Sequence, residues 1–296
     1  MDKIRIATRG SALALWQANW VRVQLESYQV EVELKIIETQ GDRESGSFRN
    51  MLGQGFFTKA VQVAVLEGNA DIAVHSLKDL PSAVTPGLTI AAIPAREDAR
   101  EVLLVLPKAF DSGAPNLPVR FGAAVGTSAV RRQAQLNTLR SDLELRELRG
   151  NVPTRVDKLR RGDYDAVVLA AAGLKRLSLD LNDLQVITLE PEVFVPAPGQ
   201  GALALECRSD DLQTLSLLTD LDNLEARETV QTERGLMARL DGGCQLALGA
   251  SALKLKTGVE LLAWYGGRFY KAHGSSEDVI AQIHAEIVQD QTMVAT

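Results

Sequence analysis

Cysteine and histidine are scarce in this chain of 296 residues, which has two cysteines and three histidines. A chain of this length can bury a hydrophobic core without disulfide staples, so the cysteines indicate reduced thiols and a cytoplasmic location. His75, His273 and His284 are far apart in the sequence, and their spacing is not that of metal ligands. A metal site is therefore not expected.

Long apolar runs and an excess of positive charge are also absent. No run approaches the roughly 18 residues that a membrane-spanning helix needs, and the chain enters a strand-like pattern without a signal peptide. The formal net charge of −6 argues against general nucleic-acid binding. A content of 46% hydrophobic and 24% charged residues is that of an ordinary globular protein, and the length favours two or three domains.

Positive charge is concentrated in residues 131–176, which contain eleven Lys or Arg and six Asp or Glu. A solvated helix face would explain any one of these charges. Many of the arginines, however, fall at predicted junctions between a loop and a helix, where an anion site is the alternative interpretation.

The apolar pattern alternates between strand-like and helix-like segments over the first two thirds of the chain. This alternation predicts α/β layers with ligand sites at the carboxyl ends of strands. The predicted strands are residues 3–8, 30–39, 71–75, 88–93, 102–106, 121–126, 143–148 and 166–171. The predicted helices are residues 12–25, 57–66, 129–139 and 154–161, with crossovers between domains at 94–100 and 191–201.

The pattern changes after about residue 220 and predicts a small α+β domain. A helix over 223–240 ends at Gly242-Gly243, a plausible C-terminal cap. Alternating runs follow at 244–255, 259–265 and 269–273, and a helix over 276–289 closes the chain.

Three loops share one design, in which a strand leads through a polar turn into a helix. They are Thr8-Arg9-Gly10-Ser11, Gly126-Thr127-Ser128 followed by Arg131-Arg132, and Arg149-Gly150-Asn151 followed by Thr154-Arg155. A helix N-terminus attracts carboxylates, and arginine binds them bidentately. A single loop of this kind is more often an ordinary N-cap, but three of them with arginine favour a multidentate anion cleft.

The segment His75-Ser76-Leu77-Lys78-Asp79-Leu80-Pro81 is predicted to end a strand with Ser76, Lys78 and Asp79 at its carboxyl end. One interpretation is a Lys–Asp surface pair of little energetic value. The other is a carboxylate held ionised beside a cation, able to stabilise a cationic intermediate or to transfer a proton. The residues alone leave both open.

The two cysteines differ in context. Cys207 lies in an apolar run and fits a small core residue, whereas Cys244 follows Gly242-Gly243 on a predicted loop. A loop thiol near arginines would have a lowered pKa and could act as a nucleophile or as an attachment point.

Together these stretches resemble the porphobilinogen deaminase family, also called hydroxymethylbilane synthases. The resemblance covers nearly the whole chain, in family order. It rests on residues 5–9, 11–17, 75–81, 126–128, 131–133, 148–151, 172–176, 198–201 and 242–245.

The resemblance implies three domains, of which the first two look like the lobes of a type II periplasmic binding protein. Domain 1 would comprise residues 1–95 and 196–216, and domain 2 residues 96–195 with the arginines. Domain 3, residues 217–296, would be small and α+β and would carry Cys244.

The implied activity is a stepwise head-to-tail condensation of four porphobilinogen molecules with loss of ammonia, followed by hydrolytic release of hydroxymethylbilane. Growth would start from a dipyrromethane cofactor bound covalently through Cys244, and Asp79 would be the catalytic carboxylate. The protein would be a cytoplasmic monomer whose partner is the small-molecule substrate, with no nucleic acid, membrane or metal involved.

The resemblance also implies binding residues. Those matched to cofactor contacts are Ser76, Lys78, Asp79, Thr127, Ser128, Arg131 and Arg132. Those matched to substrate contacts are Arg9, Ser11, Phe57, Arg149, Arg155, Arg176 and Gln200.

The chain departs from the family pattern in some places. Asn50 and Gln54 replace frequent lysines, Ala129 replaces a frequent serine, and Glu101 stands where aspartate is usual. These departures bear on affinity rather than on the reaction.

Two rival interpretations are weaker. A non-catalytic anion receptor would not need Asp79 or a third domain. A cysteine hydrolase would need a histidine paired with Cys244, and none is obvious.

Overall fold

A computed structural model of the chain describes residues 3–38, 58–240 and 246–294. The strands within these ranges are β1 (Lys3–Thr8), β2 (Glu31–Ile36), β3 (Ile72–Ser76), β4 (Leu88–Ala92), β5 (Glu101–Val105), β6 (Ala124–Gly126), β7 (Glu144–Arg146), β8 (Ala166–Ala170), β9 (Gln185–Leu189), β10 (Leu203–Arg208), β11 (Gly249–Lys254), β12 (Val259–Tyr265) and β13 (Arg268–Gly274). The helices are α1 (Ala12–Ser27), α2 (Lys59–Leu66), α3 (Val130–Leu139), α4 (Val152–Arg160), α5 (Ala171–Arg176), α6 (Leu212–Thr219), α7 (Leu224–Arg239) and α8 (Ser276–Val294).

The first compact unit comprises Met1–Glu97 and Ala202–Glu228. Its five-stranded sheet has the order β2-β1-β3-β10-β4, in which β1, β2 and β3 are parallel and β10 is antiparallel to both of its neighbours. Ile4, Ile6, Ile72 and Val74 alternate along β1 and β3 and pack with the buried face of α1. This alternation is the period of two that places every second side chain of a strand on the same face.

The second unit comprises Asp98–Gly201 and Thr229–Thr296, and its larger sheet has the order β7-β6-β8-β5-β9. Here β6, β7 and β8 are parallel, and β5 is antiparallel to β8 and β9. The plan matches that of the first sheet: three parallel strands, one antiparallel strand and an outer strand. In both sheets the antiparallel strand is the one that follows a crossover of the chain.

The C-terminal part of the second unit forms an antiparallel sheet, β11-β12-β13, covered by helices. Its core joins Leu236 and Met237 of α7 and Ile283 and Ile287 of α8 to the strands. A separate cluster of Val195, Leu262 and Trp264 packs this module against the second crossover.

The predicted fold class, α/β with two similar lobes and a small α+β module, is confirmed. The predicted strands and helices occur with ends shifted by a few residues, but β9, β10, α5 and α6 were not among them. β9 is an edge strand with mostly exposed or half-buried side chains, so its apolar pattern is weak. The three domain boundaries remain a prediction.

Candidate functional site

In the first unit, β3 ends at Ser76 and a single 3₁₀ turn, Leu77–Asp79, follows. The Leu77 amide donates to the Ala202 carbonyl over 3.0 Å, and Gln17 Nε2 of α1 donates to Ser76 Oγ over 2.7 Å. Asp79 is exposed at the end of this turn and Lys78 is half-buried. These side chains therefore lie at the carboxyl end of a strand, as predicted, and hydrogen bonds to Ala202 and Gln17 hold the start of the turn.

The loop between β1 and α1 holds Arg9 and Ser11, both half-buried. Ser11 is the N-cap of α1, and its Oγ accepts a hydrogen bond from the Ala14 amide at 3.3 Å. Thr8 Oγ1 donates to the Ala14 carbonyl over 3.2 Å. Ser11 thus fills the ordinary capping role, which is the alternative to the anion-binding interpretation. Its hydroxyl proton is not used in the capping bond.

Directly before the turn, the first unit buries a polar cluster that sequence reasoning did not identify. His75 Nε2 lies 3.1 Å from Glu206 Oε2, and Gln62 Nε2 donates to both carboxylate oxygens of Glu206 over 2.9 and 3.2 Å. All three side chains are buried. The sequence does contain a signal for this cluster, namely an ionisable residue inside each of the apolar strands β3 and β10. Such residues are rarely buried without a partner, so their presence indicates a buried pair.

In the second unit, Arg131 and Arg132 in the first turn of α3 are buried against Glu101, the first residue of β5. Glu101 Oε2 accepts from Arg132 Nη2 over 2.7 Å, and Oε1 accepts from Arg132 Nε over 3.0 Å. The same Oε1 accepts from Arg131 Nη2 over 2.5 Å. One carboxylate therefore faces two guanidinium groups, and this cluster carries a net charge of +1.

Burial shapes the electrostatics of this cluster. Desolvation lowers the pKa of Arg131 from its usual range, Glu101 opposes that shift, and the neighbouring Arg132 adds to it. Arginine remains protonated despite such a shift. An excess positive charge inside a protein is costly unless an anion compensates it, so this cluster is suited to an added carboxylate.

Arg131 also holds the second crossover. Its Nη1 donates to the Val195 carbonyl over 2.8 Å, and Gln135, one turn later on α3, donates to the same carbonyl and accepts from the Val195 amide. On the other side Gly249 of β11 lies so close that a Cβ there would stand 2.7 Å from Val195 Cβ. The Ala250 amide donates to the Pro196 carbonyl over 3.0 Å. The crossover is thus fixed between α3 and β11.

Two predicted substrate-binding residues, Arg176 and Gln200, also bond to the crossovers. Arg176 Nη2 donates to the Gly201 carbonyl, and Gln200 Nε2 donates to the Ala99 carbonyl, both over 2.7 Å. Arg176 is 8% exposed and Gln200 is fully buried. Nearby, Glu233 accepts from the Gly199 and Ala252 amides, a role that sequence reasoning did not foresee.

Thr127 and Ser128 form the loop between β6 and α3. Ser128 Oγ donates to the Leu148 carbonyl over 2.8 Å and accepts from the Leu148 amide over 3.0 Å. Its single proton is therefore used within the protein. Thr127 is buried, and its Oγ1 accepts from the amide of Ala129, the N-cap residue of α3, whose own side chain makes no capping bond.

Arg149 and Arg155 flank the loop that begins α4 and are partly exposed. Arg149 binds Glu147 with Nε and Nη2, and Arg155 Nε donates to the Gly150 carbonyl over 2.7 Å. Gly150 has a φ of +111°, and Asn151 caps α4 through the Thr154 amide. These arginines are more exposed than the buried pair Arg131 and Arg132.

Other predicted residues lie outside the described ranges, namely Asn50, Gln54, Phe57 and Cys244. Cys207 is described: it is a free, fully buried thiol in the core of the first unit. Burial raises its pKa to about 11. That environment makes Cys207 an inert core residue, as its apolar sequence context predicts.

Within the described ranges no three His, Cys, Asp or Glu residues form a group able to hold a metal ion. The helices described in those ranges also include none with the length and apolarity to cross a membrane.

Three comparisons place the chain among known proteins. Residues 4–216 match the family model described as porphobilinogen deaminase, dipyrromethane cofactor binding domain. The porphobilinogen deaminase of Syntrophotalea carbinolica is 45% identical over 84% of this chain and 78% of its own. That of Nitratidesulfovibrio vulgaris strain DP4 is 44% identical over 86% of this chain and 79% of its own.

Among solved structures, similarity is found to an arginine-specific periplasmic binding protein of Salmonella typhimurium, 11% identical with a TM-score of 0.43 over 78% of this chain and 98% of that one. It is also found to a periplasmic domain of Bordetella pertussis BvgS, 13% identical with a TM-score of 0.46 over 79% of this chain and 92% of that one.

Fold and site define a two-lobed α/β protein with arginine-bearing loops at strand ends and an added α+β module. The family is shown by the match to the family model over more than two thirds of the chain, together with the relatives. The chain belongs to the porphobilinogen deaminase family, a family of transferases of tetrapyrrole biosynthesis that use a dipyrromethane cofactor.

Proposed function

We propose that this protein is a cytoplasmic, monomeric hydroxymethylbilane synthase. It condenses four porphobilinogen molecules head to tail onto a dipyrromethane held by Cys244, and then releases hydroxymethylbilane by hydrolysis. In each step the C–N bond of the aminomethyl group breaks and ammonia leaves. A C–C bond forms to the free α-carbon of the terminal pyrrole, and that carbon loses its proton.

The observation that carries the proposal is the buried cluster of Arg131, Arg132 and Glu101, with its net charge of +1. Every pyrrole unit of the cofactor bears an acetate and a propionate. A guanidinium group binds a carboxylate with charge-assisted hydrogen bonds, and such bonds are strongest away from water. The donors of this cluster therefore suit the cofactor, and the family model names that cofactor for the region that contains them.

The dipyrromethane supplies the free pyrrole α-carbon from which the chain grows. Its carboxylates would be held by Arg131, Arg132 and Thr127 and by Ser76 and Lys78. Ser128 would act indirectly, because its proton is donated to Leu148. Arg9, Ser11, Arg149, Arg155, Arg176, Gln200 and Phe57 would contact the substrate or the growing chain.

Asp79 would be the catalytic carboxylate. It is exposed at the end of the turn that follows β3, and the start of that turn is held because the Leu77 amide donates to the Ala202 carbonyl and the Ser76 hydroxyl accepts from Gln17. Asp79 itself remains open to a ligand. Loss of ammonia leaves a cationic pyrrole, and a fixed carboxylate stabilises that charge. The same group can collect the proton that the α-carbon loses.

The test uses protein purified from cells that make porphobilinogen, with the two cysteines as a matched pair. In Cys244→Ser the intact mass should lack the two-pyrrole adduct, and turnover of porphobilinogen should cease. Cys207→Ala should keep both, because Cys207 is a buried core residue. An unmodified wild-type chain with full activity would refute the proposal, as would an adduct that persists in Cys244→Ser.

A further inference from the structure

Like Glu233, Glu101 is a carboxylate buried in the second unit. It is fully buried and begins β5, whose other residues, Val102 to Val105, are buried and apolar. A carboxylate in such a strand is strongly destabilising unless charged partners surround it. Its place at the start of an apolar strand therefore needs a reason beyond packing.

The geometry around Glu101 fixes two guanidinium groups at once. Arg132 is bound through Nε and Nη2 by both carboxylate oxygens, which sets the plane of its guanidinium group, and its Nη1 donates to the Val168 carbonyl over 2.8 Å. Arg131 is held between Glu101 Oε1 and the Val195 carbonyl. Because Oε1 is shared, a shift of the Glu101 carboxylate would displace both arginines together.

The net charge of Glu101, Arg131 and Arg132 also indicates a role for Glu101 in ligand binding. One carboxylate neutralises one guanidinium group, and the second positive charge stays in a buried environment. With two carboxylates the cluster would be neutral without a ligand and would have no electrostatic need for one. With none, two like charges would lie side by side in the interior.

We propose that Glu101 is a positioning residue of the cofactor site: it orients Arg131 and Arg132 and leaves one positive charge for a carboxylate of the dipyrromethane. The inference rests on the proposed function and adds to it a residue that touches the arginines rather than the ligand.

The experiment measures cofactor assembly on the folded apoprotein. Wild type and Glu101→Gln are produced in cells that cannot make porphobilinogen, and the folded fraction is isolated. Porphobilinogen is then added, and intact mass follows the growth of the two-pyrrole adduct. Glutamine keeps the shape but removes the charge and turns an amide N–H₂ towards a guanidinium donor, so the adduct should form at least tenfold more slowly.

Two further variants separate positioning from general stability. Glu101→Asp keeps the charge with a side chain one methylene shorter, and its adduct should form two- to threefold more slowly than in wild type, at a nearly unchanged melting temperature. Glu190→Gln removes an exposed carboxylate that binds Arg100 in the same unit, and it should match wild type. A role in stability alone would lower the melting temperature but leave the rate in the folded fraction unchanged.

The outcomes are distinct. Adduct formation at the wild-type rate in folded Glu101→Gln overturns the inference and leaves the proposed function intact. If Glu101→Gln yields no folded protein, the aspartate variant decides, and a wild-type rate in that variant also overturns the inference. A wild-type chain that gains no adduct with porphobilinogen refutes the proposed function itself.

Discussion

The two large sheets share one pattern of strand directions, yet they present their candidate residues in opposite ways. In the first unit Asp79 follows β3 on an exposed turn, and Ser11 caps α1. In the second unit Arg131 and Arg132 follow β6 but turn inward, where Glu101 and backbone carbonyls bind them. One backbone plan thus supports an exposed carboxylate in one unit and a buried cationic cluster in the other.

This contrast separates function from stability in a way that substitutions can test. An exposed side chain contributes little to folding, so its loss should affect chemistry alone. A buried charge with several partners contributes to both, since its removal leaves those partners unsatisfied. Loss of the exposed Asp79 carboxylate should therefore alter turnover at constant stability, whereas changes in the arginine cluster should alter both.

The largest expected effect is on turnover in Asp79→Ala. Removal of a fixed carboxylate that stabilises a developing cation and accepts a proton should lower kcat by roughly a thousandfold or more. The melting temperature should stay within about 1 K of wild type, because Asp79 is exposed. Steady-state kinetics and a thermal melt measure the two quantities.

A matched control for this variant is Asp210→Ala, which removes a largely exposed carboxylate of the same unit that pairs with Arg208. Its kinetics and melting should both equal those of wild type. Near-normal turnover in Asp79→Ala would remove Asp79 from the mechanism, and a large loss of stability would break the contrast between the units.

Arg132→Met should show the largest loss of stability. It removes three hydrogen bonds to Glu101 and Val168 and leaves a buried carboxylate with fewer partners. A loss of about 3–5 kcal/mol is typical of such a change, or a fall in melting temperature of roughly 6–20 K for a domain of this size. Arg146→Met, which breaks an exposed pair with Glu144, should cost at most about 1 kcal/mol. Equal melting temperatures of the two variants would contradict the burial argument.

Substitutions at the helix N-caps should change stability by a smaller amount, and the change should have opposite signs in the two units. Ser11→Ala removes the bond from the Ala14 amide and should destabilise α1 by about 1 kcal/mol. Ala129→Ser places a hydroxyl at an uncapped N-cap with extended backbone and should stabilise α3 by up to about 1 kcal/mol. Hydrogen exchange of peptides from each helix, read by mass spectrometry, measures both locally. Changes of the same sign in the two helices would show that the caps are not the cause.

How much of the fold and of the candidate site could be predicted from the sequence depends on how far apart in the chain the interacting residues are. The turn at Asp79 and the loops before α1, α3 and α4 follow from local patterns, since strand periodicity, polar turns and caps involve neighbouring residues. The inward direction of Arg131 and Arg132 could not be predicted in this way. It depends on Glu101, some thirty residues earlier in the chain, and on Val195, more than sixty later. Only the tertiary fold brings those partners together.

The last effect appears only in alkaline solution and concerns Cys207, the inert thiol in the core of the first unit. Burial raises its pKa from 9.0 to about 11 in the folded protein. Above pH 9 the unfolded chain therefore releases this proton before the folded protein does, and stability falls as the pH rises from about 9 to about 11. The contribution is roughly 2–3 kcal/mol over that window, because each pKa unit corresponds to about 1.4 kcal/mol. In Cys207→Ala it should vanish, so the melting temperature of the variant should decline less between pH 9 and 11 than that of wild type. Cys244→Ser serves as the control, and its melting temperature should decline with pH as steeply as that of wild type. If the melting temperatures of Cys207→Ala and wild type decline in parallel, Cys207 does not titrate from a buried state.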